Sequence, residues 1–88
     1  MEQGLLRNAP QGNEFVLHNG RVLKNLHELA NALLSMDDGT FAHHLTKEKN
    51  DFASWIEHVF KNHLLADQVR GAKDRKEMAR IILEKVNG

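Results

Sequence analysis

Two stretches of this chain repeat apolar residues at the spacing of a single helix face. The first stretch places the following residues at positions i, i+3, i+4, i+7 and i+8: Leu26, Leu29, Ala30, Leu33 and Leu34. The second stretch has the same spacing in Phe52, Trp55, Ile56, Val59 and Phe60. A helix with such a stripe has to bury it against other elements. We therefore predict a helical domain whose core is centred on residues 52–60, where the largest apolar side chains are concentrated.

Capping boxes mark the starts of the first and last predicted helices. Asn25 is followed at the third position by Glu28, and Asp74 is followed in the same way by Glu77. In this arrangement the first side chain accepts the amide of the second residue, whose carboxylate reaches back toward the cap. The first helix is therefore predicted over about residues 26–36, and the last continues close to the end of the sequence.

Three shorter helical segments are predicted between these two. One follows the acidic pair at residues 37–38 and ends near Thr46, and the core helix begins at a cap formed by Asn50 or Asp51. The next segment suits one or two helical turns and is followed by Gly71. A glycine at this position is typical of a left-handed residue that ends a helix, so we expect that conformation there.

A β-hairpin is predicted ahead of the helices, because two β-prone runs flank the Asn-Gly pair at residues 19–20. Asn-Gly favours a two-residue type I′ turn, in which both central residues need a positive φ. With that turn Leu17 faces Val22 and Val16 faces Leu23, so both faces of the hairpin carry apolar pairs. An isolated hairpin is only marginally stable, and we expect this one to pack on the helices.

These elements predict an α+β fold, mostly α, with a short N-terminal β-hairpin followed by a compact bundle of four or five short helices. The single domain is predicted over residues 14–88. Residues 1–13 contain Gly, Asn and Pro without periodicity, which indicates a flexible leader outside the core. With 88 residues and no cysteine, the chain is expected to derive its stability from packing in a single core.

Composition sets limits on the possible partners. Lys and Arg number 12 and Asp and Glu number 12, so no net charge draws the chain to a polyanion or to an anionic membrane. No apolar run is long enough to span a bilayer, and the first residues lack the pattern of a signal peptide. We therefore expect a cytoplasmic protein without membrane association.

Several segments resemble a small domain family of unknown function that occurs in archaeal and bacterial proteins, both alone and attached to larger chains. They are Gly20-Arg21-Val22-Leu23-Lys24-Asn25-Leu26-His27-Glu28-Leu29, then Phe41, His43 or His44, and Asn50-Asp51-Phe52-Ala53-Ser54-Trp55-Ile56. The resemblance covers roughly residues 14–86 and implies a helical domain with a short hairpin, but no activity. Its most distinctive motif, Asn50, Asp51, Phe52 and Trp55, is also explained by capping and packing alone.

Six histidines raise the question of a metal site, but their spacing argues against one. His43 and His44 are adjacent, and His58 and His63 are five residues apart. Neither spacing lets two imidazoles on a helix share an ion. We expect no metal and no other cofactor, and we expect His44 to be partly buried and hydrogen-bonded to a helix cap such as Asp51. The histidines also predict stability that depends on pH between about 5 and 7.

Nucleic-acid binding is the alternative raised by the C-terminal segment. Residues 64–86 have the outline of a helix-turn-helix, and its candidate contact residues are Arg70, Lys73, Arg75, Lys76 and Arg80, against two acidic residues between positions 70 and 80. The competing interpretation is an ordinary solvated helix face. We favour it because the broad apolar surface of the last helix leaves few side chains to read bases.

Neither catalysis nor small-molecule binding is supported by a motif in the sequence. The two serines lie outside any nucleophile elbow, and there is no glycine-rich phosphate loop. The apolar surface on the hairpin and the final helix instead predicts a non-enzymatic module for protein interaction or self-assembly, such as a homodimer. The alternative is that the hairpin and the final helix cover each other within one monomer.

Overall fold

A single hairpin is followed by five helices in the part of the chain that the structure, a computed structural model, describes, residues 7–87. The strands are β1 (Phe15–Val16) and β2 (Val22–Leu23). The helices are α1 (Leu26–Ser35), α2 (Asp38–His44), α3 (Asp51–Phe60), α4 (His63–Arg70) and α5 (Arg75–Asn87). The predicted α+β class, mostly α, with an N-terminal hairpin ahead of short helices, is confirmed.

Asparagine side chains begin three of these helices. The side-chain oxygens of Asn25, Asn50 and Asn62 accept the backbone amide three residues further on, at 2.9, 3.0 and 2.8 Å. Each such cap contributes about 1 kcal/mol by satisfying an amide that has no partner within its helix. Asp37 and Asp74 cap α2 and α5 in the same way. The predicted caps at Asn25 and Asp74 are confirmed, and of the two candidates for α3 the structure selects Asn50.

The core lies where α5 packs along α1 and α3 packs on α4. The apolar stripe of α3 and that of α1, apart from the exposed Leu34, point into it, and the largest fully buried side chains include Phe52, Leu26, Leu29, Leu33 and Ile56. The prediction that the α3 stripe is central is confirmed for every member except Val59, which is only partly buried. The hairpin packs on this core through its inner face.

The register of the hairpin differs by one residue from the predicted one. Phe15 pairs with Leu23 and Val16 pairs with Val22, whereas the predicted turn opposed Val16 to Leu23. Gly20 has a φ of 93°, but the residue before it has no positive φ. A type I′ turn needs two successive positive values, so the chain forms a three-residue loop instead. The predicted turn type and pairing are therefore wrong.

In the observed register, the apolar side chains of the hairpin divide between a buried face and an exposed face. Phe15, Leu17 and Leu23 are buried, and Val16 and Val22 are exposed. Because side chains alternate along a strand, a shift of one residue changes which side chains lie opposite each other on each face. The three larger apolar residues reach the core in this register, and one valine pair stays on the solvent side.

Residues 7–13 lie against the domain, although the sequence predicted that they belong to a leader outside the core. Ala9 is buried, and its amide donates to the carbonyl of Lys24 at 2.7 Å, next to β2. The indole Nε1 of Trp55 donates to the carbonyl of Asn13 at 2.7 Å. Ala9 therefore belongs to the core, contrary to its predicted exclusion, and residues 1–6 lie outside the described range.

Two helix ends differ from expectation. Gly71 follows α4 with a right-handed φ of −85°, so the predicted left-handed conformation is wrong. The left-handed residue is instead Lys61, which ends α3 with a φ of 57°. A lysine there has a Cβ close to the following carbonyl, a conformation that costs about 1 kcal/mol relative to glycine. Lys61 and Asn62 are the two residues that link α3 to α4.

Candidate interaction surface

Four large apolar side chains are exposed among the described residues. Val16 and Val22 are 58% and 48% exposed and face each other on the outer side of the hairpin. Leu64 stands on α4 and is 61% exposed. Leu34, 47% exposed, lies in the last turn of α1, the helix on which α5 packs. The buried face of α5 thus packs mainly on α1, and its partly buried Leu83 lies beside Leu34.

A groove of about 370 Å³ runs between α1 and α5 at this point, and we call it the α1–α5 groove. Its lining residues are Leu34, Lys76, Arg80, Leu83, Glu84 and Asn87. α5 turns Met78, Ala79, Ile82 and Val86 into the core, and Leu83 beside that stripe is only partly buried. The two leucines thus form an apolar floor with charged side chains around it.

The charges around the groove are arranged unevenly. Arg80 donates to Glu84 at 3.1 Å and lies 3.7 Å from the carboxylate of Glu77. Lys76 has no ion pair or hydrogen bond among the described side chains. Exposed pairs of this kind contribute little to stability, so they exchange partners at low cost. The groove therefore offers one uncommitted ammonium group beside its leucines.

The other predicted nucleic-acid contacts do not form a free basic surface. Arg70 donates to Glu57 at 2.6 Å and to Asp67 at 2.9 Å. Arg75 donates to the backbone carbonyl of Leu33 at 2.8 Å, so it ties α5 to α1. The backbone amide of Lys73 donates to Glu77 at 2.6 Å, but its ammonium group, like that of Lys76, has no carboxylate partner among the described residues. Of the five candidates, the three arginine side chains are thus engaged within the protein and the two lysine side chains are not.

The hydrogen bonds of Arg70 also act on Glu57. They are the main cause that holds the pKa of Glu57 below its ordinary value, and the imidazole of His63, 3.0 Å from the second carboxylate oxygen, adds to it. This cluster joins α3 to α4 at the surface. Arg70 is therefore a structural contact between helices, and its guanidinium is already neutralised.

The helical motif of the family resemblance is built into the core. Asn50 caps α3, and Phe52 is fully buried between Phe15 and Phe41, with ring centroids at 5.3 and 5.7 Å. Trp55 is buried and bonded to the N-terminal segment through its indole nitrogen. Asn50, Phe52 and Trp55 therefore have structural roles in capping and packing.

Asp51, the remaining member of that motif, holds His44. Its carboxylate lies 2.9 Å from Nδ1 of His44 and 3.1 Å from Nζ of Lys49. Burial works against the ionised carboxylate, but these two hydrogen bonds outweigh it, so the pKa of Asp51 lies below its ordinary value. The predicted bond between a buried His44 and Asp51 is confirmed. The pair resembles a catalytic dyad, but the second ring nitrogen of His44 already accepts the backbone amide of His18 at 2.9 Å.

The fold gathers three histidines that are distant in sequence. The rings of His18 and His43 stack at 3.9 Å, and His43 meets the edge of His44 at 5.0 Å. Stacked imidazoles point their nitrogen lone pairs in parallel, which does not suit a shared ion. Within residues 7–87 no group of three or more His, Asp or Glu side chains is arranged to hold a metal.

Sequence reasoning missed the α1–α5 groove and the histidine cluster. The only local signal for the groove was that Leu34 lies at the edge of its helical stripe, where side chains are less well covered. Within the described part of the chain no helix has both the length and the hydrophobicity to cross a membrane.

Comparison with known proteins does not identify a family for this chain. No protein-family model, curated protein or solved structure matches the chain. The family resemblance drawn from residues 20–56 therefore stays a prediction.

Proposed function

We propose that this chain is a non-enzymatic protein-interaction module and that the α1–α5 groove is its contact surface. The observation that carries the proposal is the pairing of Leu34 and Leu83 in one groove. Covering the exposed part of Leu34 alone contributes about 1 kcal/mol, and interfaces concentrate their binding energy in a few such side chains. The exposed Leu64 lies on α4 and outside the groove, so it serves as a comparison.

The groove favours an apolar segment that carries a carboxylate. Lys76 has no partner among the described residues, and an incoming acidic side chain satisfies it without breaking an existing pair. A helix or a short extended segment laid along α1 and α5 fits this arrangement, as in other groove-binding interactions. We place the module in the cytoplasm, in keeping with a sequence free of disulfide-forming cysteine. Fractionation of the producing cells checks that location.

The first test is the solution mass of the protein over a concentration series at low and high salt, by sedimentation. Leu34→Ser in the groove is compared with Leu64→Ser, its matched control on α4. Self-association that persists in high salt, and that only Leu34→Ser abolishes, identifies a second copy of the chain as the occupant. Equal effects of the two substitutions contradict a role for the groove.

If the protein is a monomer throughout, a photo-crosslinking residue at position 83 and one at position 64 are compared in the cells that produce the protein. A defined adduct formed from position 83 and not from position 64 supports a different protein as the partner. The absence of adducts at both positions means that the groove stays free, and the proposal is then wrong.

Nucleic-acid binding through residues 64–86 is the competing proposal, and Lys73 and Lys76 are the observation that favours it. A phosphate binder loses affinity steeply with rising salt, because each contact releases counterions. We expect no such binding in a titration with duplex DNA and with single-stranded RNA. Salt-sensitive affinity that falls in both Lys73→Ala and Lys76→Ala, with folding unchanged, would favour this function over the groove.

A further inference from the structure

His44 connects three separate parts of the fold through one buried ring. It is the last residue of α2, and its Nδ1 lies 2.9 Å from Asp51 at the start of α3. Its Nε2 accepts the backbone amide of His18, in the hairpin loop, at 2.9 Å. Phe15 and Phe52 flank the ring at centroid distances of 5.0 and 5.5 Å. The imidazole is thus the polar link between the hairpin loop and the helices.

The two hydrogen bonds define the protonation state of this ring. A carboxylate accepts, so Nδ1 carries the proton that is donated to Asp51, and a backbone amide donates, so Nε2 offers its lone pair to His18. Only the neutral ring satisfies both bonds. A second proton, on Nε2, sets that N–H group against the backbone N–H of His18. The positive charge of the ring strengthens its contact with Asp51. Protonation therefore breaks the bond to the hairpin and keeps the bond to α3.

The neighbouring charges act in the same direction. His43 stacks on His18 at 3.9 Å, so two protonated rings there repel each other. Desolvation first, and then the nearby His18, lower the pKa of His43. Lys49 adds a further positive charge, and it shares the same carboxylate oxygen of Asp51 with His44. Among the described residues, Asp51 is the negative charge that acts on the cluster.

We propose that His18, His43 and His44 form a pH-sensitive latch between the hairpin loop and α2. The latch is closed when the imidazoles are neutral. Acidification through the range in which imidazoles take up protons, about pH 7 to 5, breaks the bond between His44 and the His18 amide and separates the stacked rings. The loop then moves away from α2, while α1, α3, α4 and α5 keep their packing.

The test is a pH titration of the full chain, followed by NMR of the backbone amides and of the histidine ring nitrogens. At pH 8 we expect ring nitrogen shifts of His44 typical of the tautomer with the proton on Nδ1. On acidification from pH 8 to about 5 the His18 amide shifts upfield, as an amide does when it loses its acceptor. Amide shifts in α5 stay unchanged over the same range.

Two variants separate the latch from general acid effects. His44→Gln removes the titrating acceptor, so the pH-dependent shift of the His18 amide is lost. His63→Gln removes an exposed histidine far from the hairpin in sequence and leaves the shift as in the unmodified chain. The latch is overturned if the His18 amide does not respond between pH 8 and about 5. It is also overturned if the α5 amides change at the same pH, which indicates unfolding of the whole domain.

Discussion

Trp55 shows how a single side chain can have two separable roles. Its ring is buried in contact with Phe15 and Phe60, at centroid distances of 5.5 and 5.1 Å, and its indole nitrogen bonds the carbonyl of Asn13. The apolar part fills the core, and the polar part attaches the N-terminal segment to α3. Substitutions that remove one part or both distinguish these contributions.

We predict that Trp55→Ala lowers the free energy of unfolding by about 3 to 5 kcal/mol, because it leaves a large cavity in the core. Trp55→Phe keeps most of the packing and removes the bond to Asn13, so we expect a loss of about 1 to 2 kcal/mol. Urea denaturation followed by circular dichroism measures both values. Equal losses for the two variants would mean that the hydrogen bond, and not the ring, carries the stability.

Two glycines are predicted to respond oppositely to alanine. Gly20 has a φ of 93°, which an L-residue with a Cβ rarely adopts, so Gly20→Ala destabilises by about 1 kcal/mol or more. Gly39 lies within α2, and a Cβ there meets only the Asp37 carboxylate at an ordinary 3.5 Å. Gly39→Ala therefore stabilises by about 0.5 kcal/mol through helix propensity. Thermal melts of the two variants should move to opposite sides of the unmodified chain.

Single residues were predictable from sequence where their partners are close along the chain. Asn25 and Asp74 accept the backbone amides of residues three positions further along the chain. His44 and Asp51 are only seven residues apart. The contact of His44 with His18 was not predicted, because it joins residues 26 positions apart. It depends on where the hairpin packs, and neither helical periodicity nor capping rules specify that.

At the scale of elements, the hairpin shows a local signal that predicted the element but not its geometry. Asn19-Gly20 placed the turn correctly, but the two β-prone runs on either side fit either of two loop lengths. The choice is made by packing, because the observed register buries Phe15, Leu17 and Leu23 together. The position of the turn could thus be predicted from the sequence. The register of the strands could not, because packing against the core determines it.

The end of α3 offers a test at the element scale. Because Lys61 is held at a φ of 57°, Lys61→Gly should stabilise the protein by about 1 kcal/mol. Lys47→Gly is the control, since it is an exposed loop lysine without a positive φ, and there we expect a small loss. Chemical denaturation compares the two variants. No gain for Lys61→Gly would mean that the side chain of Lys61 contributes contacts that offset the strain.

For the molecule as a whole, the groups with shifted pKa values predict a loss of stability in acid. The pKa values of Asp51 and Glu57 are lowered, so these carboxylates stabilise the fold above their unfolded values of 3.8 and 4.5, and this contribution is lost as the pH falls through their folded values. The pKa of His43 is also lowered from 6.5, so the unfolded chain takes up its proton first and stability already declines below that pH.

Urea midpoints measured between pH 8 and 3 check this sign. We expect the midpoint to fall in two stages, first below about pH 6.5 and then in the carboxylate range. His43→Gln should weaken the first stage, and Glu57→Gln should weaken the second. A midpoint that rises on acidification from pH 8 to 6 contradicts the assignment for His43.

The contact between Ala9 and Lys24 determines what happens when the N-terminus is shortened. β2 pairs with β1, and the carbonyl of Lys24, the residue that follows β2, accepts the amide of Ala9. A protease that cuts between Pro10 and Glu14 removes this cover and leaves an open strand beside the exposed Val22. Open apolar strands recruit one another, so trimmed chains are expected to form intermolecular sheets and sediment as aggregates. Residues 9–13 are thus expected to protect the edge of the hairpin from association with another chain.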